Sequence, residues 1–203
     1  MLAGGQSSPG WGPPDTTTSI NRKLPEKGSR GTFTDIITAL AVAIGLLGAV
    51  ASYLFLTIGT IQIWIGFIGW ASFYHCGGGT DGLRKSICAN LWGVVMATIA
   101  LILITQVNPG LPGVFWPSIV VGVTAAILVL GAGFEPFGVI PATVYGYAST
   151  AGCGLLAGAS ITAPGLANPL VCVTISLVVG GPLGIVSERF AGMLKAGGAK
   201  AKA

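Results

Sequence analysis

The chain has 203 residues, 52% of them hydrophobic and only 8% charged, with a net charge of +4 and a mean hydropathy of +0.82. Soluble domains carry about 25% charged residues, so this chain cannot cover a water-facing surface and a soluble globular fold is excluded. Its 33 glycines follow no G-X-Y period, which excludes collagen, and no basic face interleaved with aromatics offers itself to nucleic acid.

Residues 1–34 are rich in Gly, Pro, Ser and Thr and lack the apolar core of a signal peptide. They read as a disordered cytoplasmic N-terminal tail. Trp11 within it is either a docking point for a protein partner or a stray aromatic. A bilayer core of ~30 Å takes about 20 apolar residues to cross. Six segments qualify, at about 35–58, 61–77, 85–106, 116–134, 137–158 and 169–188. The expected fold class is therefore an all-α integral membrane protein with six transmembrane helices over 35–190. Residues 191–203 form a basic cytoplasmic C-terminal tail, placed near anionic headgroups or simply solvated.

Charge sets the orientation. The ten basic residues are Arg22, Lys23, Lys27, Arg30, Arg84, Lys85, Arg189, Lys195, Lys200 and Lys202. Six spans with both termini inside make all ten cytoplasmic, as the positive-inside rule requires. The outer connections, about 59–60, 107–115 and 159–168, then carry none. Trp64, Phe115 and Trp116 fit an outer aromatic belt, and Phe33, Tyr74 and Phe190 an inner one. Both termini are therefore expected on the cytoplasmic side of the membrane.

Local signals refine the elements. Thr34 and Asp35 suit the N-terminus of span one, as cap and as helix-dipole partner. Residues 77–82, GGGTDG, form a flexible turn and no phosphate loop, since no GK[ST] follows. Glu135-Pro136 closes the turn between spans four and five. Pro182 should kink or break span six.

The sequence also repeats. Residues 69–77 and 146–154 both read G-[WY]-A-S-x-x-x-C-G, and Cys88 with Val94-Val95 matches Cys172 with Val178-Val179. Two three-span units, about 35–106 and 116–188, are expected. An odd number of spans turns the second copy upside down, giving a 3+3 inverted repeat, common in transport proteins with the solute path at the repeat interface.

At helical spacing Gly69, Ser72, Phe73 and Cys76 share a face, as do Gly146, Ser149, Thr150 and Cys153. These stripes either line a solute path, with His75 at its end, or let helices pack closely while the hydroxyls bond to backbone. Gly69, Gly77, Gly146, Gly154, Gly180 and Gly184 are the candidate helix-packing glycines, and Gly180 with Gly184 forms a GxxxG that suits a homo-oligomer seam.

These same residues carry a resemblance. Residues 66–72, GFIGWAS, with Cys76-Gly77 and Gly82-Leu83, resemble the first signature of the DUF-1097 family of small, mostly bacterial inner-membrane proteins. Ile140-Pro141-Ala142-Thr143, Gly146 and Ala148-Ser149-Thr150 resemble the second. The resemblance covers about 36–190. It implies a multi-span membrane protein, and neither an activity nor functional residues. The long N-terminal tail and His75 depart from the family.

Little else carries chemistry. His75 is the one histidine, and reads as a pH-titrating gate or as an interfacial residue beside Tyr74. Cys76, Cys88, Cys153 and Cys172 lack metal-site spacing and read as free thiols. Neither a catalytic set nor a metal or cofactor site is expected. Ion coupling is disfavoured, since the spans lack the charged residues that proton and cation paths use. Two functions remain: a passive channel or facilitator for a small uncharged solute or gas, and a non-transport accessory subunit of a larger membrane complex.

Overall fold

The structure is a computed structural model that describes residues 27–59 and 62–200, with side chains over 36–59 and 62–196. Six α-helices follow in order: α1 (Lys27–Ile58), α2 (Ile63–His75), α3 (Gly79–Gln106), α4 (Phe115–Leu130), α5 (Ile140–Leu155) and α6 (Pro169–Lys200). Among the described residues there is no strand. Short 3-10 turns occupy Gly131–Gly133, Glu135–Phe137 and Gly165–Ala167.

Among the described residues four stretches are long and apolar enough to cross a membrane: Ile36–Ile58, Gly79–Gln106, Phe115–Gly133 and Pro169–Ala196. The apolar runs around α2 and α5 fold as shorter helices of 13 and 16 residues. At 1.5 Å per residue these extend only about 20 and 24 Å.

The boundaries follow from local chemistry. Gly77, Gly78 and Gly79 take φ of 95°, 71° and 63°, a left-handed run that residues with a Cβ avoid, and so reverse the chain between α2 and α3. Pro169 opens α6, where a missing N–H costs nothing, and Asn168 Oδ1 accepts the Leu170 N–H at 2.9 Å. The Glu135-Pro136 turn forms as expected. Three expectations change. α1 begins at Lys27, so Thr34 and Asp35 lie within the helix instead of at its start. α6 runs unbroken through Pro182 and on to Lys200, into the stretch read as a tail. α3 starts six residues before the expected span, directly after the glycine turn. Residues 1–26, including Trp11, lie outside the described residues.

α3 and α6 form the centre. α3 packs on α2, α4, α5 and α6, and α6 on α1, α2, α3 and α5. α1 lies outside on α6, and α4 outside on α3. α2 runs in the same direction as α6: Gln62 N–H donates to Ser176 Oγ at 3.1 Å, Gly66 meets Gly180 and Phe73 meets Gly184. Gly79 N–H then donates to Glu188 Oε2 at 2.9 Å. α5 runs along α3 likewise, with Thr143 at Gly93 and Gly154 at Leu101.

All charged side chains among the described residues gather at one end. Arg84 spans Asp81 (3.6 Å) and Glu135 (3.7 Å), and Lys85 pairs with Asp81 at 2.6 Å. Glu188, held by Gly79, brings the C-terminal part of α6 to the same end. The opposite end, with the 107–114 and 156–168 loops, bears no charged residue and carries Trp64, Phe115 and Trp116.

Candidate functional site

Where α2 meets α3, three polar side chains are sealed from solvent. Ser72, Ser86 and Asn90 are 0%, 1% and 2% exposed. Ser86 Oγ donates to Ser72 Oγ at 2.9 Å, Ser72 Oγ donates to Asn90 Oδ1 at 3.3 Å, and Asn90 Nδ2 donates back to Ser86 Oγ at 3.2 Å. The three close a ring. In an apolar surround such a ring is stable because each member is satisfied by the others.

The α5 stripe is different. Thr150 Oγ1 donates to the Gly146 carbonyl one turn back, at 3.0 Å. Ser149 is just as buried as Ser72, yet its Oγ has no hydrogen-bond partner. A buried hydroxyl left alone costs about 1–3 kcal/mol. Cys153 packs in an apolar cluster with Ile65, Val94, Val173 and Leu177.

Glycines hold the helices against each other. A Cβ on Gly69 would strike the Leu177 backbone, and one on Gly180 the Gly66 carbonyl. On the other pair, a Cβ on Gly146 would strike the Asn90 carbonyl, and one on Gly93 the Thr143 carbonyl. Gly184 lies under the Phe73 ring and Gly154 under the Leu101 side chain. Gly180 and Gly184 therefore pack α6 on α2 inside the protomer, and this side of α6 is not free for an oligomer seam. Gly77 is a turn residue with nothing within 4 Å of its Cβ position, so it packs no helices.

His75 stands apart. It ends α2, is exposed, and its Nδ1 lies 3.1 Å from Tyr145 Oη, the two rings edge to face. Cys76 caps α2 beside it and is half-buried. Ser72, Ser149, Thr150 and Cys153 are thus interior, whereas His75 lies at the charged end. No disulfide joins any of the four cysteines. Among the described residues no three His, Cys, Asp or Glu side chains converge as a metal would need.

Ser86, Asn90, Gly66 and Gly93 were not among the expected functional residues. Asn90 had a signal: it is the one amide between Lys85 and Gln106, four residues after Ser86 in an otherwise apolar run.

Chemically, the interior offers hydroxyls and an amide, donors and acceptors without charge. A family model described as "Protein of unknown function (DUF1097)" matches residues 41–192. No curated protein and no solved structure matches the chain.

Proposed function

We propose that this chain, which belongs to the DUF1097 family of proteins of unknown function, is a six-helix inverted-repeat membrane protein that passes a small uncharged polar solute or gas at the junction of its two halves. Both termini lie in the cytoplasm, and the bilayer is an inner membrane. The charged residues grouped at one end support that orientation. The reading assigns no catalysis and no cofactor.

The glycine contacts support the repeat. Gly69 on α2 meets Leu177 on α6, and Gly146 on α5 meets Asn90 on α3; Gly66 meets Gly180, and Thr143 meets Gly93. Moving from the first member of each α2–α5 pair to the second is always a step of 77 residues, and from Asn90 to Leu177 or Gly93 to Gly180 a step of 87. One operation thus relates both contacts. It aligns α3 with α6 three residues away from the Cys88–Cys172 match of the sequence. The two short helices, α2 and α5, occupy corresponding places, which is where transporters of this kind place substrate.

The observation that carries the functional reading is the buried uncharged cluster of Ser72, Ser86 and Asn90, with the unpartnered Ser149 in the related position. The α6 residues related to Ser86 and Asn90 are Val173 and Leu177, which offer Ser149 no partner. A passing solute with both a donor and an acceptor would satisfy it. With Ser72 0% and Ser149 1% exposed, the path is shut in this conformation and opens only as the helix pairs part.

The test is solute flux into proteoliposomes for small amides, polyols, undissociated weak acids and dissolved gases. Flux above protein-free liposomes, reduced in Ser149→Ala and Asn90→Leu proteins that still fold, supports the reading. Flux equal to that of empty liposomes for every solute ends it. The second reading, an accessory subunit without transport, is favoured by backbone-to-backbone packing along both stripes. It predicts a stoichiometric membrane partner retained on mild solubilisation.

A further inference from the structure

The charged end holds a second feature, unrelated to the buried serines. α1 and α6, with Tyr74 of α2, line a cleft of about 280 Å³ there. Its walls include Ala39, Leu40, Ala191 and Gly192, and its lining also includes Glu188 and Lys195. Ala39 and Ala191, both in the cleft lining, pack with Ala43 in one buried apolar cluster. Gly192 leaves the cleft open, with nothing within 4 Å of where a Cβ would stand.

The cleft is smaller than the ~300–1,000 Å³ pockets that enclose whole drug-sized molecules. It suits one apolar chain segment whose remainder stays outside. It also sits between two membrane-crossing helices at the end where they leave the apolar layer. Lipid acyl chains are present there at high concentration.

The polar lining selects the headgroup. Glu188 and Lys195 are seven residues apart, two turns along one face of α6. Helical side chains lean toward the N-terminus, so Lys195 reaches back toward the level of Glu188. No ion pair joins them among the described residues, and Glu188 is anchored by the Gly79 N–H at 2.9 Å. An acid and a base lining one apolar cleft match a headgroup that carries both charges. Lys195 pairs with a phosphate, and Glu188 accepts hydrogen bonds from a primary ammonium. An anionic headgroup would meet Glu188 without an ammonium to offset it. A quaternary ammonium has no N–H to donate.

We infer that the α1–α6 cleft is a binding site for a zwitterionic phospholipid with a primary-ammonium headgroup, its phosphate at Lys195 and its ammonium at Glu188.

The experiment is native mass spectrometry of the full-length protein, titrated with dioleoyl phosphatidylethanolamine, phosphatidylcholine and phosphatidylglycerol in turn. The expected result is tightest retention of phosphatidylethanolamine. Glu188→Gln keeps an acceptor for Gly79 and should erase the preference over phosphatidylcholine. Lys195→Gln should weaken retention of phosphatidylethanolamine about five-fold, the worth of one basic residue at a phospholipid surface. Gly192→Leu fills the cleft without striking protein and should abolish retention, with an unchanged melting temperature reporting an intact fold. Equal or tighter retention of phosphatidylglycerol overturns the proposal. So does undiminished phosphatidylethanolamine binding in folded Gly192→Leu protein.

Discussion

Gly146 lies so close to the backbone carbonyl of Asn90 that no Cβ fits between them. The side chain of that same Asn90 completes the ring with Ser72 and Ser86. One residue of α3 therefore sets both the approach of α5 and the polar interior of α2. Packing and candidate chemistry share a point in space, which makes the two separable only by chosen substitutions.

Crossing glycines should be intolerant. Gly146→Val and Gly93→Val set a side chain against backbone, which cannot move aside as a flexible side chain can. Each should cost more than the ~1–3 kcal/mol of ordinary overpacking, read as a large fall in the melting temperature of the detergent-solubilised protein. Gly122→Ala, in α4 with open space around it, should be neutral or stabilising by up to ~1 kcal/mol, through helix propensity. Equal effects at the three sites would contradict the packing described.

Substitutions at the two buried serines Ser86 and Ser149 should differ in sign. Ser86→Ala breaks a closed ring and should destabilise by about 1–2 kcal/mol. Ser149→Ala removes an unpartnered buried hydroxyl and should be neutral or stabilising by about 1 kcal/mol. Thermal or denaturant melts of the two variants side by side decide this.

Thiol chemistry should report burial and side. Cys76 is half-buried at the charged end, whereas Cys153 and Cys172 are buried. A membrane-impermeant maleimide should label Cys76 in inverted vesicles and leave it unlabelled in right-side-out ones. Cys153 and Cys172 should resist in both. Labelling of Cys76 only in right-side-out vesicles would reverse the proposed orientation.

The ion pairs should matter little. Arg84 and Glu135 are 63% and 84% exposed at 3.7 Å, so Glu135→Gln should change stability by less than ~1 kcal/mol. Ser187 is another matter: it accepts the Trp70 Nε1–H at 2.9 Å in a buried setting and meets Tyr74 Oη at 2.7 Å. Ser187→Ala strands the Trp70 donor and should cost about 1–3 kcal/mol in the same melts.

Much of this was legible in the residues. Apolar runs marked the places of all six described helices, four of them long enough to cross a bilayer. The triple glycine marked its turn, and the positions of Arg84, Lys85, Glu135 and Glu188 anticipated a single charged end. The small-residue stripes were also visible, as was the choice they posed between lining and packing. What they touched was not visible, because helical periodicity names a face without naming its partner. Gly180 and Gly184 read equally well as an oligomer seam until α2 occupied them.

By itself the sequence determined the all-helical class, the turn positions, the uncharged interior and the family. These depend on composition and on local backbone preference, which act within a few residues. Only the tertiary structure decided that α2 packs along α6 and α5 along α3, that Asn90 closes the ring with Ser72, and that Ser149 is left without a partner. Those facts depend on the register between helices far apart in the chain. A shift of three residues, such as separates the Cys88–Cys172 match from the glycine contacts, moves nearly a full helical turn while leaving the sequence pattern on the same face.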